Sequence, residues 1–413
     1  MNRSDSYYRI LLIAVGAGVL AIVWDEIDPI LRAGLVVALV LFGSLTWSRA
    51  KPTEEEEKPA EIGWLDRLVA DETRRPWNPT TLPWLPTGPS PKPLLLVPAA
   101  DYHLAEVVPL ADELNRAGVV TRIAIGASPW ERTRNALTWY PDLVVHRLPD
   151  AAQLEGEVSA VLVMKDTGSL QPLVTGCRER GIPTMGKVEG AQDFWDADTP
   201  EQRSPYRNLD LVLCQGSFDR DALADRATVV VGSSRLERLW WSPPAAAPEP
   251  LALINLNFVY GVGIADRRLW LETAIEGCER AGIPYLVSIH PAERARIESE
   301  RATTISASRI LPWSTVLISR FSTMPLEAMA RGVPFVYHNP HGEAVRTFSE
   351  PLGAFEVTGD ADELTSVLSN LDPGVEWRRR FSPFFARHVD VDPTALSEQR
   401  SARAIMDHLG LKP

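Results

Sequence analysis

Short apolar runs alternate with amphipathic segments along most of the chain from residue 94 onwards. The apolar runs predict strands at 94–97, 120–125, 143–146, 160–164, 182–187, 210–214 and 228–231, and the segments between them predict helices at 104–117, 130–138 and 171–180. Alternating strands and helices of these lengths are typical of a doubly wound parallel sheet. This part of the chain therefore predicts a Rossmann-like domain over 94–241.

A second series of strands and helices follows the proline-rich segment 242–250, SPPAAAPEP. The series predicts a strand in LALINLNF, a helix at 268–281, a strand at 285–289 and a helix at 362–371. Because proline interrupts helices and strands alike, the segment 242–250 predicts an interdomain linker. We therefore predict a second Rossmann-like domain over 251–390, a cleft between the two domains, and a terminal helix within 391–413.

The stretch 310–342 carries most of the functional information. Its pattern predicts a strand at 315–319, a polar turn at 320–323, a helix at 325–331 and a strand at 334–337. In parallel sheets ligands bind at the carboxyl ends of the strands, where the N-terminus of the following helix attracts anions. The turn holds Arg320, Ser322 and Thr323. One interpretation is a well-capped helix with Pro325 in its first turn, and the other is an anion-binding site.

This stretch resembles the sugar-nucleotide-binding segment of GT-B glycosyltransferases. The resemblance rests on three short groups of residues: Ser322-Thr323, Glu327-Ala328 and Gly332-Val333-Pro334. It implies that the hydroxyl residues lie near the donor diphosphate and that Glu327 holds the ribose hydroxyls of the nucleotide.

Two further segments extend the resemblance to donor binding. His290-Pro291 ends a predicted strand and is similar to a histidine-proline pair of alditol-phosphate polymerases and non-hydrolysing sugar-nucleotide 2-epimerases, which implies that His290 contacts the donor phosphate. The segment 230–239 resembles the Gly-x-x-Arg segment that ends the N-terminal domain in this superfamily. Gly232 and Arg235 occupy its matching positions, and they either shape the hinge or approach a donor phosphate.

Candidates for a general base follow strands of the first domain. Asp101 and His103 lie in the loop where many GT-B transferases place a histidine or an acidic base. GKVEGAQDF, 186–194, is similar to the His-Val-Glu-Ala-Gly segment of the 2-epimerases, with Glu189 on the glutamate and Lys187 in place of the histidine. A transferase needs a base within reach of the acceptor hydroxyl, so we interpret Asp101, His103 and Glu189 as catalytic candidates. The simpler alternatives are a helix cap for Asp101 and a surface position for Glu189.

Two apolar runs, 10–23 and 33–45, predict a transmembrane helical hairpin within residues 1–48. Basic residues flank the hairpin and the connection WDEIDPILR is mostly acidic, so the positive-inside rule predicts that both termini and the large domains are cytoplasmic. Each run is shorter than the roughly 20 residues of a full span, and a buried hairpin or a signal peptide is the alternative. Residues 49–93, charged and then proline-rich, predict a linker.

Composition excludes some classes of partner. The formal net charge of −12 over 413 residues argues against nucleic acid, because phosphate backbones are bound by basic surfaces. Cys177, Cys214 and Cys278 lack metal-ligand spacing, and Asp196-Ala197-Asp198 lies in a polar segment without a preceding strand. We therefore predict no metal site and no cofactor.

These patterns and resemblances predict a membrane-tethered, metal-independent GT-B glycosyltransferase. It would move a sugar from a nucleotide-sugar donor to a lipid-linked or cell-surface glycan acceptor, at the cell membrane and in polysaccharide biosynthesis of the cell envelope. Three alternatives remain open: a CDP-alditol-type phosphotransferase for surface polymers, a sugar-nucleotide 2-epimerase, and a non-catalytic GT-B-like membrane scaffold.

Overall fold

The computed structural model describes residues 80–82, 91–125, 143–192, 194, 205–245, 247, 249–258, 264–290, 301–343, 345–372 and 375–411. The two apolar runs near the N-terminus, the helix predicted at 130–138 and the Asp196-Ala197-Asp198 motif lie outside these residues. Within them, every helix is too short or too polar to traverse a bilayer.

The first half of the described chain forms an eight-stranded parallel sheet. Its strands are β1 (Thr80–Leu82), β2 (Leu94–Val97), β3 (Thr121–Ile125), β4 (Val144–Arg147), β5 (Ala160–Val163), β6 (Thr184–Lys187), β7 (Leu211–Cys214) and β8 (Thr228–Val230). They lie in the order β1-β4-β3-β2-β5-β6-β7-β8. β2 and β5 are buried at every position, as expected for the centre of a parallel sheet covered on both faces.

Helices cover both faces of this sheet. They are α1 (Leu104–Arg116), α2 (Ala151–Leu154), α3 (Gln171–Glu179), α4 (Ser217–Ala222) and α5 (Ser234–Trp241). Successive side chains of a strand point to opposite faces, so Leu94 and Leu96 share a core with α1. Leu95 and Val97 share the opposite core with α3. The first predicted domain is therefore an α/β domain of the expected doubly wound type.

The second half forms a six-stranded parallel sheet. Its elements are β9 (Ala252–Leu256), α6 (Arg267–Arg280), β10 (Tyr285–Ile289), β11 (Ala302–Thr303), α7 (Ala307–Ile310), β12 (Val316–Ser319), α8 (Met324–Arg331), β13 (Phe335–His338), β14 (Glu356–Thr358) and α9 (Ala361–Ser369). The strand order β11-β10-β9-β12-β13-β14 is the Rossmann order, with its switch point between β9 and β12. Ligands of such sheets bind outside the carboxyl ends of the strands at this point.

Two C-terminal helices link the domains, α10 (Trp377–His388) and α11 (Ser397–His408). Phe381, Phe384 and Phe385 of α10 belong to a core of the second domain. Ala402 and Ile405 of α11 belong to a core of the first domain. The chain therefore returns to the first domain at its end.

Candidate functional site

The candidate residues follow the carboxyl ends of strands in both sheets. In the first domain, His103 ends the turn after β2, and Glu189 lies two residues after β6. In the second domain, His290 directly follows β10, and Arg320 directly follows β12. The spacing of the strands along the sequence was sufficient to predict these positions, because the carboxyl ends of parallel strands share one edge of a sheet.

His103 and Glu189 form a buried pair in the first domain. Nε2 of His103 lies 3.0 Å from Oε2 of Glu189, and the two side chains are 2% and 13% exposed. The backbone N–H groups of Ala99 and Ala100 donate to Nδ1 of His103 at 3.0 and 3.2 Å. Because Nδ1 accepts, the ring proton is on Nε2 and faces Glu189. Among the described residues no acceptor meets hydrogen-bond geometry with Nε2, so the contact with Glu189 is close without being a well-aligned hydrogen bond.

The surroundings of Glu189 keep its carboxyl group ionised. Burial alone would raise the pKa of Glu189, but the interaction with His103 and the charges of Lys165 and Arg235 outweigh burial, and the pKa is lowered. Tyr206 is fully buried beside this carboxylate, and burial together with the charge of Glu189 raises the pKa of Tyr206 well above its usual value. Glu189 is therefore ionised and able to accept a proton, although its lowered pKa makes it a weaker base than an ordinary glutamate.

Tyr206 is a residue of the site that the sequence patterns did not identify. Its backbone is in the left-handed region with φ 66°, which is uncommon for a residue other than glycine. The carboxylate of Asp166 accepts from the backbone N–H of Tyr206 at 2.6 Å, and the Tyr206 hydroxyl donates to the carbonyl of Met164 at 2.9 Å. The surrounding contacts therefore hold a strained backbone in place next to Glu189, as is common at functional sites.

The Glu189 segment touches the N-terminus of α8. The backbone N–H of Ala191 donates to Oγ1 of Thr323 at 3.2 Å. Gly190 approaches so closely that a Cβ atom there would lie 2.2 Å from the same oxygen. Gly190 is thus required by close packing, and the structure brings the two predicted halves of the site, the Glu189 segment and the Ser322-Thr323 turn, into contact.

Ser322 directly precedes the N-cap of the helix that carries the donor-binding resemblance. Its Oγ accepts from the backbone N–H of Met324 at 3.2 Å and from Nδ2 of Asn255 at 3.4 Å. Asn255 lies on β9, so this contact spans the switch point between β9 and β12. Thr323 is the N-cap residue and makes no side-chain cap hydrogen bond, but its carbonyl accepts from the backbone N–H groups of residues 326 and 327. The side-chain hydroxyls of Ser322 and Thr323 and the helix dipole are therefore what this turn offers to an anion.

Glu327 is 2% exposed and joins α8 to α5. One carboxylate oxygen pairs with Nη1 of Arg235, and the other accepts from the hydroxyl of Ser308. A carboxylate has about four acceptor positions, so these contacts orient Glu327 without exhausting it. Arg235 makes its contact within the protein in this structure, and Ser308 is a partner that the motif alone did not indicate.

Arg320 is buried and bound internally. Its Nε donates to Oε2 of Glu343 at 2.8 Å, and Nη1 donates to the carbonyl of Asn257 at 3.0 Å. Burial raises the pKa of Glu343, but the hydrogen bond from His341 and the charge of Arg320 outweigh burial and lower that pKa to about 2. Arg320 therefore stabilises the turn after β12 through an ion pair with Glu343.

Lys187 and Gly232 belong to a buried network behind the cleft. Nζ of Lys187 donates to the carbonyl of Gly232 at 3.1 Å and lies 3.5 Å from Oε2 of Glu106. Gly232 has φ +76°, and a Cβ there would lie 2.4 Å from the carbonyl oxygen of Asp390. Glu106 also accepts from the backbone N–H of Ser234 at 3.0 Å, at the start of α5. Both Lys187 and Gly232 therefore hold the hinge together in this structure.

Asp101 and His290 also follow strands, one in each domain. Asp101 begins the turn that His103 ends. His290 is partly buried, and its backbone N–H donates to the carbonyl of Leu256 at 3.1 Å. Among the described residues, no group of three or more His, Cys, Asp or Glu side chains could hold a metal ion.

The fold is that of known sugar-nucleotide enzymes. No protein-family model matches the chain, and no curated protein matches it. Solved structures match its fold: S. aureus MnaA in a co-structure with UDP gives a TM-score of 0.58 at 12% identity, covering 78% of this chain and 98% of that chain. A putative UDP-N-acetylglucosamine 2-epimerase from Listeria monocytogenes gives 0.56 at 14% identity, covering 77% and 97%.

A variant of the wall teichoic acid polymerase TagF also matches, with a TM-score of 0.51 at 11% identity, covering 78% of this chain and 89% of that chain. The two Rossmann-like domains and these matches identify the architecture as the GT-B fold, which confirms the resemblance found in the sequence. Identities of 11–14% establish the fold alone.

Proposed function

We propose that the protein is a membrane-tethered glycosyltransferase that moves a sugar from a nucleotide-sugar donor to a lipid-linked or cell-surface glycan acceptor. The observation that carries the proposal is the contact between the Glu189 segment and the N-terminus of α8. The segment that carries the Glu189 carboxylate contacts a helix N-terminus there, at the carboxyl ends of two parallel sheets. Transfer from a diphosphate donor requires both a proton acceptor and a site for the departing anion.

The proposed reaction uses these groups as follows. The acceptor hydroxyl oxygen attacks the anomeric carbon of the donor sugar, and its proton passes to the carboxylate of Glu189. The bond between that carbon and the diphosphate oxygen breaks, and the nucleoside diphosphate leaves. The hydroxyl groups of Ser322 and Thr323 and the positive end of the α8 dipole stabilise the charge that develops on the diphosphate. Glu327, already oriented by Arg235 and Ser308, accepts from the ribose hydroxyls.

Donor binding is expected to raise the melting temperature of the full-length protein. A ligand that binds only the folded state at 100 times its Kd stabilises that state by about 2.7 kcal/mol. We expect one class among UDP-, GDP- and CDP-linked donors to give this shift, and Glu327→Gln to remove most of it. Each variant is compared with and without donor, so a change in its own stability cancels.

The exposed Glu276 provides the matched control, and Glu276→Gln should keep the full shift. The absence of a shift with every donor class would refute a donor site and favour a non-catalytic scaffold. If the protein converts a UDP-linked donor to its 2-epimer in the absence of an acceptor, its activity is that of an epimerase and the proposed transferase activity is wrong.

The tether is the second part of the proposal, supported by the apolar runs 10–23 and 33–45 and their basic flanks. The full-length protein should stay in the membrane pellet during alkaline carbonate extraction. An arginine near the middle of a span costs about 2.5–3.5 kcal/mol, so Val15→Arg combined with Leu39→Arg should release the protein. Thr53→Arg, outside both runs, should leave it in the pellet. Extraction of the unaltered protein by carbonate would rule out a spanning hairpin.

A further inference from the structure

Two arginines meet where the hinge crosses the second domain. Arg331 ends α8, and the backbone N–H of Ala245, in the linker, donates to its carbonyl at 2.8 Å. A Cβ at the next residue, Gly332, would lie 3.4 Å from Pro244 and 3.8 Å from Nε of Arg378. Nη2 of Arg378 donates to the carbonyl of Leu239, near the end of α5, at 3.0 Å. The ends of α5 and α8, the linker and the start of α10 therefore converge on this point, with Arg331 and Arg378 adjacent.

Neither guanidinium has an acidic partner within the part of the chain that the structure describes. The Nε atoms of Arg331 and Arg378 are both buried without a hydrogen-bond acceptor. Burial lowers the pKa of Arg331. Burial is the larger cause of the lowered pKa of Arg378, and the nearby charge of Arg331 is the smaller cause. The neighbouring Glu376 is exposed. The structure thus brings two like charges together and leaves buried donors unsatisfied, an arrangement that is unfavourable without an anion.

The helix dipoles leave the net charge at this point unchanged. Arg378 is the second residue of α10, a helix of 12 residues whose N-cap residue is Glu376 and whose first turn has no acidic residue. The N-terminus of such a helix carries about half a positive charge, and the C-terminus of α8 carries about half a negative charge. These two partial charges oppose each other, so the full charges of Arg331 and Arg378 remain uncompensated.

We infer that Arg331, Arg378 and the N-terminus of α10 form a binding site for a phosphate group. Guanidinium forks match phosphate oxygens, and a helix N-terminus supplies further N–H donors to the same anion. The site lies at the end of α8 opposite to Ser322 and Thr323, one helical turn beyond Glu327. That helix has eight residues, so its ends are about 12 Å apart. The phosphate would belong either to a soluble phosphate compound or to the headgroup of an anionic lipid.

Thermal unfolding of the full-length protein tests the site. Inorganic phosphate should raise the melting temperature above its value in chloride at equal ionic strength. Arg331→Gln and Arg378→Gln should each lose this response. Without phosphate, Arg331→Gln should be at least as stable as the unaltered protein, since the substitution relieves repulsion between like charges. Arg378→Gln also loses the hydrogen bond from Nη2 to the carbonyl of Leu239, so only its response to phosphate is compared. Arg379→Gln, an exposed arginine of the same helix, should keep the full response.

Short-chain lipids distinguish the sources of the phosphate. Dihexanoyl phosphatidylglycerol in place of inorganic phosphate should give a response that depends on Arg331 and Arg378 if the ligand is a lipid headgroup, and no response if it is a soluble phosphate. Failure of both probes would overturn the inference, as would equal responses in all the variants. The response to phosphate must also survive Glu327→Gln, which separates this site from the donor site.

Discussion

Glu189→Gln is expected to slow sugar transfer by about 10²–10⁴-fold, the usual contribution of a general base. Glutamine preserves the shape of the side chain and can still contact Nε2 of His103, but it cannot accept the acceptor proton. Donor binding should persist, because the residues proposed for the donor lie on the other domain. The turnover number, measured with the donor class identified by thermal shift, and the donor-induced shift itself report these two effects separately.

The exposed Glu179 on α3 offers a control, and Glu179→Gln should leave turnover within about twofold of the unaltered rate, as for a surface substitution. The pH profile gives a second readout. The pKa of Glu189 is lowered, so the carboxylate is the base above that pKa, and activity should fall only below the ordinary range of a glutamate. Normal turnover in Glu189→Gln would show that Glu189 is not the general base and would leave Asp101 as the acidic candidate for that role.

The centre of the fold was predictable, and its margins were not. β2 and β5 are buried throughout, so each appears in the sequence as an uninterrupted apolar run. β1 lies in the segment predicted to be a linker, where Thr80–Leu82 stands between prolines. β1 is an edge strand, and proline is tolerated at the edge of a sheet. The prolines of this segment therefore do not exclude a strand. β14 exposes Glu356 and Val357 and has no apolar run to reveal it.

Positions in the site were predictable from strand ends, whereas side-chain pairings were not. Arg320 pairs with a glutamate 23 residues away, and Arg235 pairs with a glutamate 92 residues away. Such pairs depend on the packing of separate elements and have no local pattern. Lys187 is the clearest case: the resemblance places it at the position of the epimerase histidine, and only the structure shows that its side chain extends into the network of Glu106.

Lys187→Met is expected to destabilise the protein by about 3–5 kcal/mol, the usual cost of removing one partner of a buried ion pair. Lys187 and Glu106 are 1% and 3% exposed, so the remaining carboxylate would stay buried without its cation. The hydrogen bonds from Nζ to Ser397 and Ser401, both at 3.3 Å, would also be lost, which loosens α11 from the first domain. Urea unfolding of the full-length protein measures the change in the free energy of unfolding.

The dependence of this cost on pH separates an ion pair from simple packing. In the unaltered protein burial raises the pKa of Glu106, but the charge of Lys187 and the hydrogen bond from Ser233 outweigh burial and lower it, so Glu106 stabilises the fold above its ordinary pKa of about 4.3. Without Lys187, burial dominates and Glu106 takes up a proton more readily. The destabilisation should therefore be largest near neutral pH and shrink as the pH falls.

A double variant gives a second test of the ion pair. Adding Glu106→Gln to Lys187→Met should destabilise the protein by less than the sum of the two single changes. The exposed Lys92→Met is the control and should cause no measurable destabilisation. A penalty that is independent of pH and strictly additive would mean that Lys187 acts by filling space.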